Sequence, residues 1–183
     1  MKNQLLTQTP SQTAGPFFAY GILARQYGYD HGQLADNVLY KEEKHKGERI
    51  LIKGQVLDGE GKPIDDAFVE IRQGAGLDEF GRMGTGTEAD HSFIFDTYKP
   101  KTRDGHAPSI NVVVLMRGLL SHVFTRIYFE DETDANARDP ILNCVPEDRR
   151  NTLLAKRTED RGQVVYRFDI HMQGLQETVF FDA

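Results

Sequence analysis

A chain of 183 residues with a net charge of −6, 39% hydrophobic and 27% charged residues is expected to be one folded domain, burying roughly 70% of its unfolded surface without a covalent staple. No stretch is strongly basic, which excludes a nucleic-acid backbone as partner, and the single Cys144 excludes an internal disulfide. The first residues lack the apolar core of a signal peptide, and the apolar segment from Ile110 to Leu120 is cut by Arg117 and too short for a bilayer, so a cytoplasmic protein is expected.

Residues 1–48 carry little periodicity. Pro10, Gly15, Pro16, Gly21, Gly28 and Gly32 are interleaved with Phe17, Phe18, Tyr20, Tyr27 and Tyr29, which predicts an arm that packs on a surface rather than a free tail. Within it, Thr13-Ala14-Gly15-Pro16 reads either as a simple turn or as a place where glycine lets the backbone approach a ligand and proline fixes its direction. The run Lys41-Glu42-Glu43-Lys44-His45-Lys46 reads as a solvated loop.

From Arg49 onward strands are predicted. Ile50, Ile52, Gly54 and Val56 alternate with more polar neighbours, a turn spans 58–63, and Ala67, Val69 and Ile71 form the return strand of a hairpin. The glycine-rich stretch from Gly74 to Gly86 reads as a flexible loop; its Gly81-Arg82-Met83-Gly84-Thr85-Gly86 lacks the spacing and following helix of a phosphate-binding loop. Further strands are expected over Ser92–Tyr98, Ile110–Met116, Val123–Phe129, Gln163–Gln173 and Glu177–Phe181. The one clear helix start is Pro146-Glu147-Asp148, with proline and early acids in the first turn. Many short strands, one or two short helices and no internal repeat predict an all-β sandwich over residues 49–183.

Local motifs for chemistry are scarce. His31, His45, His91, His106, His122 and His171 form no H-x-H or H-x-x-x-H pair, and there is no C-x-x-C and no G-x-S-x-G. Cys144 has no activating neighbour. Arg117, at the end of the most apolar strand, reads either as a guanidinium placed to meet an anion or as a surface side chain laying its stem on apolar neighbours.

Taken together, several segments resemble one family. Thr9-Pro10-Ser11-Gln12-Thr13-Ala14-Gly15-Pro16-Phe17, the segment from Ile52 to Pro63 with Val69-Glu70-Ile71, Thr125-Arg126-Ile127-Tyr128-Phe129-Glu130-Asp131-Glu132, Ala135-Asn136-Ala137, Asp139-Pro140 and Leu142-Asn143 are similar to the intradiol ring-cleaving dioxygenases. The tail, Tyr166-Arg167-Phe168-Asp169-Ile170, Gln173-Gly174 and Glu177 to Asp182, resembles the alpha subunits of protocatechuate 3,4-dioxygenases.

The resemblance covers nearly the whole chain. It implies the transthyretin-like β-sandwich of that family, with an arm over residues 1–48 that packs on a partner subunit. In the iron-bearing chains of the family, two tyrosines and two histidines hold Fe3+, the histidines in a P-x-H-I-H run. Here that run is Pro108-Ser109-Ile110-Asn111, the first tyrosine position falls near Phe80, and no tyrosine lies between Tyr98 and Tyr128. Serine and asparagine are poor donors to a centre built for imidazole.

The resemblance therefore implies no metal on this chain and no catalytic residue of its own. It implies Fe3+ on a homologous beta subunit, alpha-beta units in a higher oligomer, and a substrate pocket walled by Thr13, Ala14, Gly15 and Pro16, with Arg117 toward the substrate carboxylate. The implied reaction is ortho cleavage of protocatechuate by O2 to 3-carboxy-cis,cis-muconate. Arg72 stands where the family carries tryptophan, and the loop 73–81 is short. Those departures leave open another substituted catechol, such as 4-sulfocatechol; the hairpin alone would also suit a stand-alone small-anion-binding domain.

Overall fold

The computed structural model describes residues 13–41, 47–74 and 79–182. The arm's first twelve residues, 42–46 of the charged run and 75–78 of the glycine-rich stretch lie outside the described residues. The chain is mainly β, as expected. The strands are β1 Arg49–Leu57, β2 Phe68–Arg72, β3 Phe80–Gly84, β4 Ser92–Tyr98, β5 Ser109–Leu115, β6 Val123–Phe129, β7 Leu154–Asp160, β8 Gln163–Arg167 and β9 Ile170–His171. They pair in the order β3-β2-β5-β6-β7-β8-β1-β4, with β9 added on β1. The end strands approach each other, and the Ile94 amide of β4 donates to Met83 Sδ of β3 at 3.0 Å, so the sheet nearly closes.

Alternation works as the sequence predicts. Ile50, Ile52 and Val56 of β1, Phe93 and Phe95 of β4, Ile110, Val112 and Val114 of β5 and Ile127 and Phe129 of β6 point into one core, all fully or almost fully buried. Each large side chain removed from water there contributes about 1.5–3 kcal/mol. Between β8 and β9 the expected continuous strand breaks. Phe168 N donates to Lys53 O, Gln55 N donates to the Asp169 carboxylate, and a Cβ on Gly54 would stand only 1.7 Å from Phe168 O. Glycine is what lets the chain cross β1 so closely.

Other expectations are corrected. The predicted hairpin does not form: after the bridge Leu57–Pro63, the chain leaves β1, which pairs with β4, and β2 pairs instead with β3 and β5. β2 is apolar toward both faces at Phe68 and Val69, so it needs cover on both sides, which a hairpin on β1 would not supply. Part of the predicted glycine loop is strand β3. A Cβ on Gly81 would lie 2.5 Å from Leu39 Cδ1, so this glycine admits the N-terminal segment packed over the strand. The expected last strand is only a bridge, Phe124–Phe181. The predicted helix is a 3₁₀ turn, Glu147–Leu153, and short helices form at α1 Pro16–Ile22, α2 Thr133–Asn136 and α3 Pro140–Cys144.

Candidate functional site

The outward face of β2, β3, β5 and β6 carries the residues that the sequence singled out. Strand pairing places them in rows across the sheet. Phe80, Arg72, Asn111 and Arg126 lie side by side on four adjacent strands, and Arg82, Glu70, Val113 and Phe124 form the next row. One end of this face is covered by the arm, where Ala14, Ala19 and Leu23 pack on Phe68, with Leu115 at the edge. At the other end, Tyr128 is buried with Leu142 of α3.

Thr13, Ala14, Gly15 and Pro16 lead into α1, and the structure brings this segment to the turn that holds Arg117. Thr13 Oγ1 donates to Met116 O at 3.2 Å, and Ala14 is buried on the core. Arg117 lies just beyond β5, in a turn closed by Gly118 at a φ of 88°. Its guanidinium meets two carboxylates that the sequence reading missed: Nε is 3.0 Å from Asp66 Oδ2 and Nη2 is 3.3 Å from Asp65 Oδ1. The Arg117 side chain remains 62% exposed, whereas Asp66 is only 10% exposed and its carboxylate accepts no hydrogen bond of good geometry. Burial pushes the Asp66 carboxyl up from its ordinary range, and Arg117 only partly opposes this. Asp65-Asp66 follows the turn directly, but nothing local in the sequence joins it to Arg117, 52 residues away.

Beside the arm, the second row and its neighbour line a cleft of about 660 Å³, with Ile141 and Phe181 on its sides. Ser109 and Asn111, two residues apart on β5, share this face, and Phe80 lies in the Asn111 row. These are the positions where the resemblance would place iron ligands. A hydroxymethyl, an amide and a phenyl group do not fit a ferric centre, and among the described residues no three His, Cys, Asp or Glu side chains converge on a metal-sized site. Below the row lies a buried carboxylate with several donors. Asp139, with no exposed surface, accepts from Ile141 N, Leu142 N and Ala107 N at 3.0, 2.8 and 2.9 Å and from Tyr128 Oη at 3.1 Å. Burial opposes its charge, but those donors win and hold its carboxyl below the usual range. Burial is also the main cause that pushes the Tyr128 hydroxyl up to about 12. Cys144 is exposed, with its thiol 3.2 Å from Pro140 O, and no feature of the site uses it.

Solved structures place this architecture among the intradiol dioxygenases. The dioxygenase domain of a carbohydrate-binding fusion protein from Streptomyces sp. SirexAA-E superimposes with a TM-score of 0.59, at 20% identity, over 79% of this chain and 89% of that one. An intradiol ring-cleavage dioxygenase from Tetranychus urticae gives 0.57 at 14% identity, over 94% and 98%. No family profile matches the chain. Sequence relatives are more specific. The protocatechuate 3,4-dioxygenase alpha chain of Burkholderia cepacia is 50% identical over 97% of this chain and 98% of its own length, and that of Pseudomonas putida is 40% identical over the whole of both. The beta chain from Burkholderia cepacia is 28% identical over 72% of this chain and 67% of its own. This chain belongs to the family of protocatechuate 3,4-dioxygenase alpha chains.

Proposed function

We propose that this chain is the iron-free alpha subunit of an intradiol dioxygenase that opens protocatechuate between its two hydroxyl-bearing carbons, giving 3-carboxy-cis,cis-muconate. Fe3+ would be held by a homologous beta subunit, and this chain would complete the substrate pocket. The observation that carries the reading is the seating of Thr13 on Met116 O, which sets the Thr13–Pro16 segment against the exposed guanidinium of Arg117. A backbone wall and a cation are what an aromatic carboxylate needs in order to be oriented. Alpha-beta assembly is supported by the likeness to a beta chain and by the apolar surface of the arm, where Phe17 is 83% and Phe18 56% exposed. Large exposed aromatics in one short segment suit an interface. The domain division at residue 48 follows from the same reading: the segment before β1 would cross to the partner, and residues 49–183 would form the core. No helix among the described residues is long and apolar enough to cross a membrane.

The test is Arg117→Ala in the assembled enzyme, with kinetics on protocatechuate and on unsubstituted catechol. Loss of a charge-assisted hydrogen bond costs about 1.5–3 kcal/mol, so KM for protocatechuate is expected to rise about tenfold to hundredfold, and that for catechol far less. Because the variant strips buried Asp66 of its countercharge, Arg117→Ala/Asp66→Asn serves as the stability control. Equal losses on both substrates in that double variant would remove Arg117 from the substrate pocket.

A further inference from the structure

The cleft over the Phe80–Arg72–Asn111–Arg126 row is not used by the function proposed above. Its size, about 660 Å³, lies within the range of small-molecule sites. Its lining divides sharply by chemistry. Val113, Phe124, Ile141 and Phe181 supply an apolar floor and sides, and Phe80 supplies a ring at one end. Arg72 and Arg126 flank Asn111 on either side of β5, roughly 10 Å apart at the backbone, twice the spacing of adjacent strands.

Both guanidiniums lack a carboxylate partner among the described residues, whereas neighbouring charges are taken. Glu70 pairs with Arg82 at 2.6 Å, Asp139 is turned inward to its backbone donors, and Asp182 sits exposed at the rim without an ion pair to either arginine. Arg72 instead lies over the Phe80 ring at 5.6 Å, and the positive charge of Arg126 lowers the pKa of the nearby Tyr128 hydroxyl, opposing its burial. Two arginines in one walled, apolar cleft, with an amide between them, form an anion site with a flat apolar floor. Surface arginines with no ligand to meet normally either pair with nearby acids or extend into water.

We infer that this cleft binds a small planar organic anion, an aromatic carboxylate, with the ring against Phe124 and Val113 and the carboxylate between Arg72 and Arg126. No metal is needed: the site uses guanidinium forks, the Asn111 amide and apolar contact alone. Such a site would let the chain respond to aromatic acids through residues other than the Thr13–Arg117 cluster.

The experiment is calorimetric titration of the full chain with 4-hydroxybenzoate, with 4-hydroxybenzyl alcohol as the uncharged probe. Saturable binding near one per chain is expected for the acid, at least tenfold weaker binding for the alcohol, and at least tenfold weaker binding of the acid by Arg126→Gln and by Arg72→Gln. Arg103→Gln, an exposed arginine outside both cationic places, should leave this binding unchanged. Absence of saturable binding, or binding that survives Arg72→Gln/Arg126→Gln or disappears with Arg103→Gln, would overturn it. Asn111→Asp gives an independent check that does not weaken the arginines. A carboxylate built between them should block the acid and raise the melting temperature, and a folded Asn111→Asp chain that still binds 4-hydroxybenzoate with unchanged affinity would also overturn the inference.

Discussion

Asp139→Ala should cost this chain about 3–5 kcal/mol of stability. The carboxylate ties three segments together: the entry to β5 through Ala107 N, β6 through Tyr128 Oη, and the start of α3 through Ile141 N and Leu142 N. Truncation leaves the Ala107 and Leu142 amides and the Tyr128 hydroxyl without acceptors, each worth about 1–3 kcal/mol when buried, and removes a helix cap worth about 1 kcal/mol. Partial relaxation brings the expected loss to about 3–5 kcal/mol, against the 5–15 kcal/mol typical of a domain. In a chain of this length that corresponds to roughly 10 °C or more in Tm. Asp139→Asn keeps one oxygen but turns an NH2 toward a donor, so about half that loss is expected. The pH dependence has a definite sign. Because the folded carboxyl is held below its unfolded value, its contribution is fully present above about pH 4 and is lost as pH falls through the folded value. Urea titrations from pH 2 to pH 5 should therefore show an acid limb that flattens in Asp139→Asn. An Asp139→Ala chain within 1 kcal/mol of the parent, or an unchanged acid limb in Asp139→Asn, would refute this account.

Two further outcomes follow from close packing and from the arm. Gly54→Ala should prevent folding or cost more than about 4 kcal/mol, because the backbone carbonyl of Phe168 occupies the position of the new methyl group; a normal melting curve would show that β1 and the 168–169 crossing can separate. Phe17→Ser/Phe18→Ser should leave the secondary structure of the isolated chain intact while weakening its co-purification with the beta subunit. Size-exclusion chromatography of the co-expressed pair reads this directly, and an intact complex would remove the arm from the interface.

Much of the fold was legible because its strands obey simple alternation. β1, β4 and β5 put Ile, Val and Phe on one face, and that pattern survives in the structure. β7 escaped because Lys156 to Asp160 are polar and exposed, so its strand conformation comes from pairing with β8 and from the Arg157 amide donating to Glu130, not from burial. β3 escaped because its glycines imitate a loop, when Gly81 is there to admit Leu39. The candidate site shows the same division. The Thr13–Pro16 motif and Arg117 stand out by type and position, but their meeting through Met116 O spans 103 residues. Arg72 and Arg126 lie in segments the sequence reading had already quoted, but their alignment through Asn111 depends on the register of three strands, which no local pattern specifies.

The two cationic places on the outer face differ in how their charge is balanced, and that difference follows from topology. Arg117 sits in a turn, where the chain can bring the Asp65-Asp66 pair back from the far end of the β1–β2 connection. Counted with both aspartates ionised, that cluster is net negative and would repel a carboxylate. Burial raises the proton affinity of Asp66, and Arg117 opposes this only in part. Asp66 holds Arg117 through Nε and so fixes the direction of a side chain that remains 62% exposed. Arg72, at the end of β2, and Arg126, in the middle of β6, sit on interior strands of the sheet on either side of β5. Their nearest paired acid, Glu70, is already committed to Arg82 on the neighbouring strand. A sheet interior can therefore hold unbalanced positive charge more readily than a turn, provided that something anionic enters from outside the sheet.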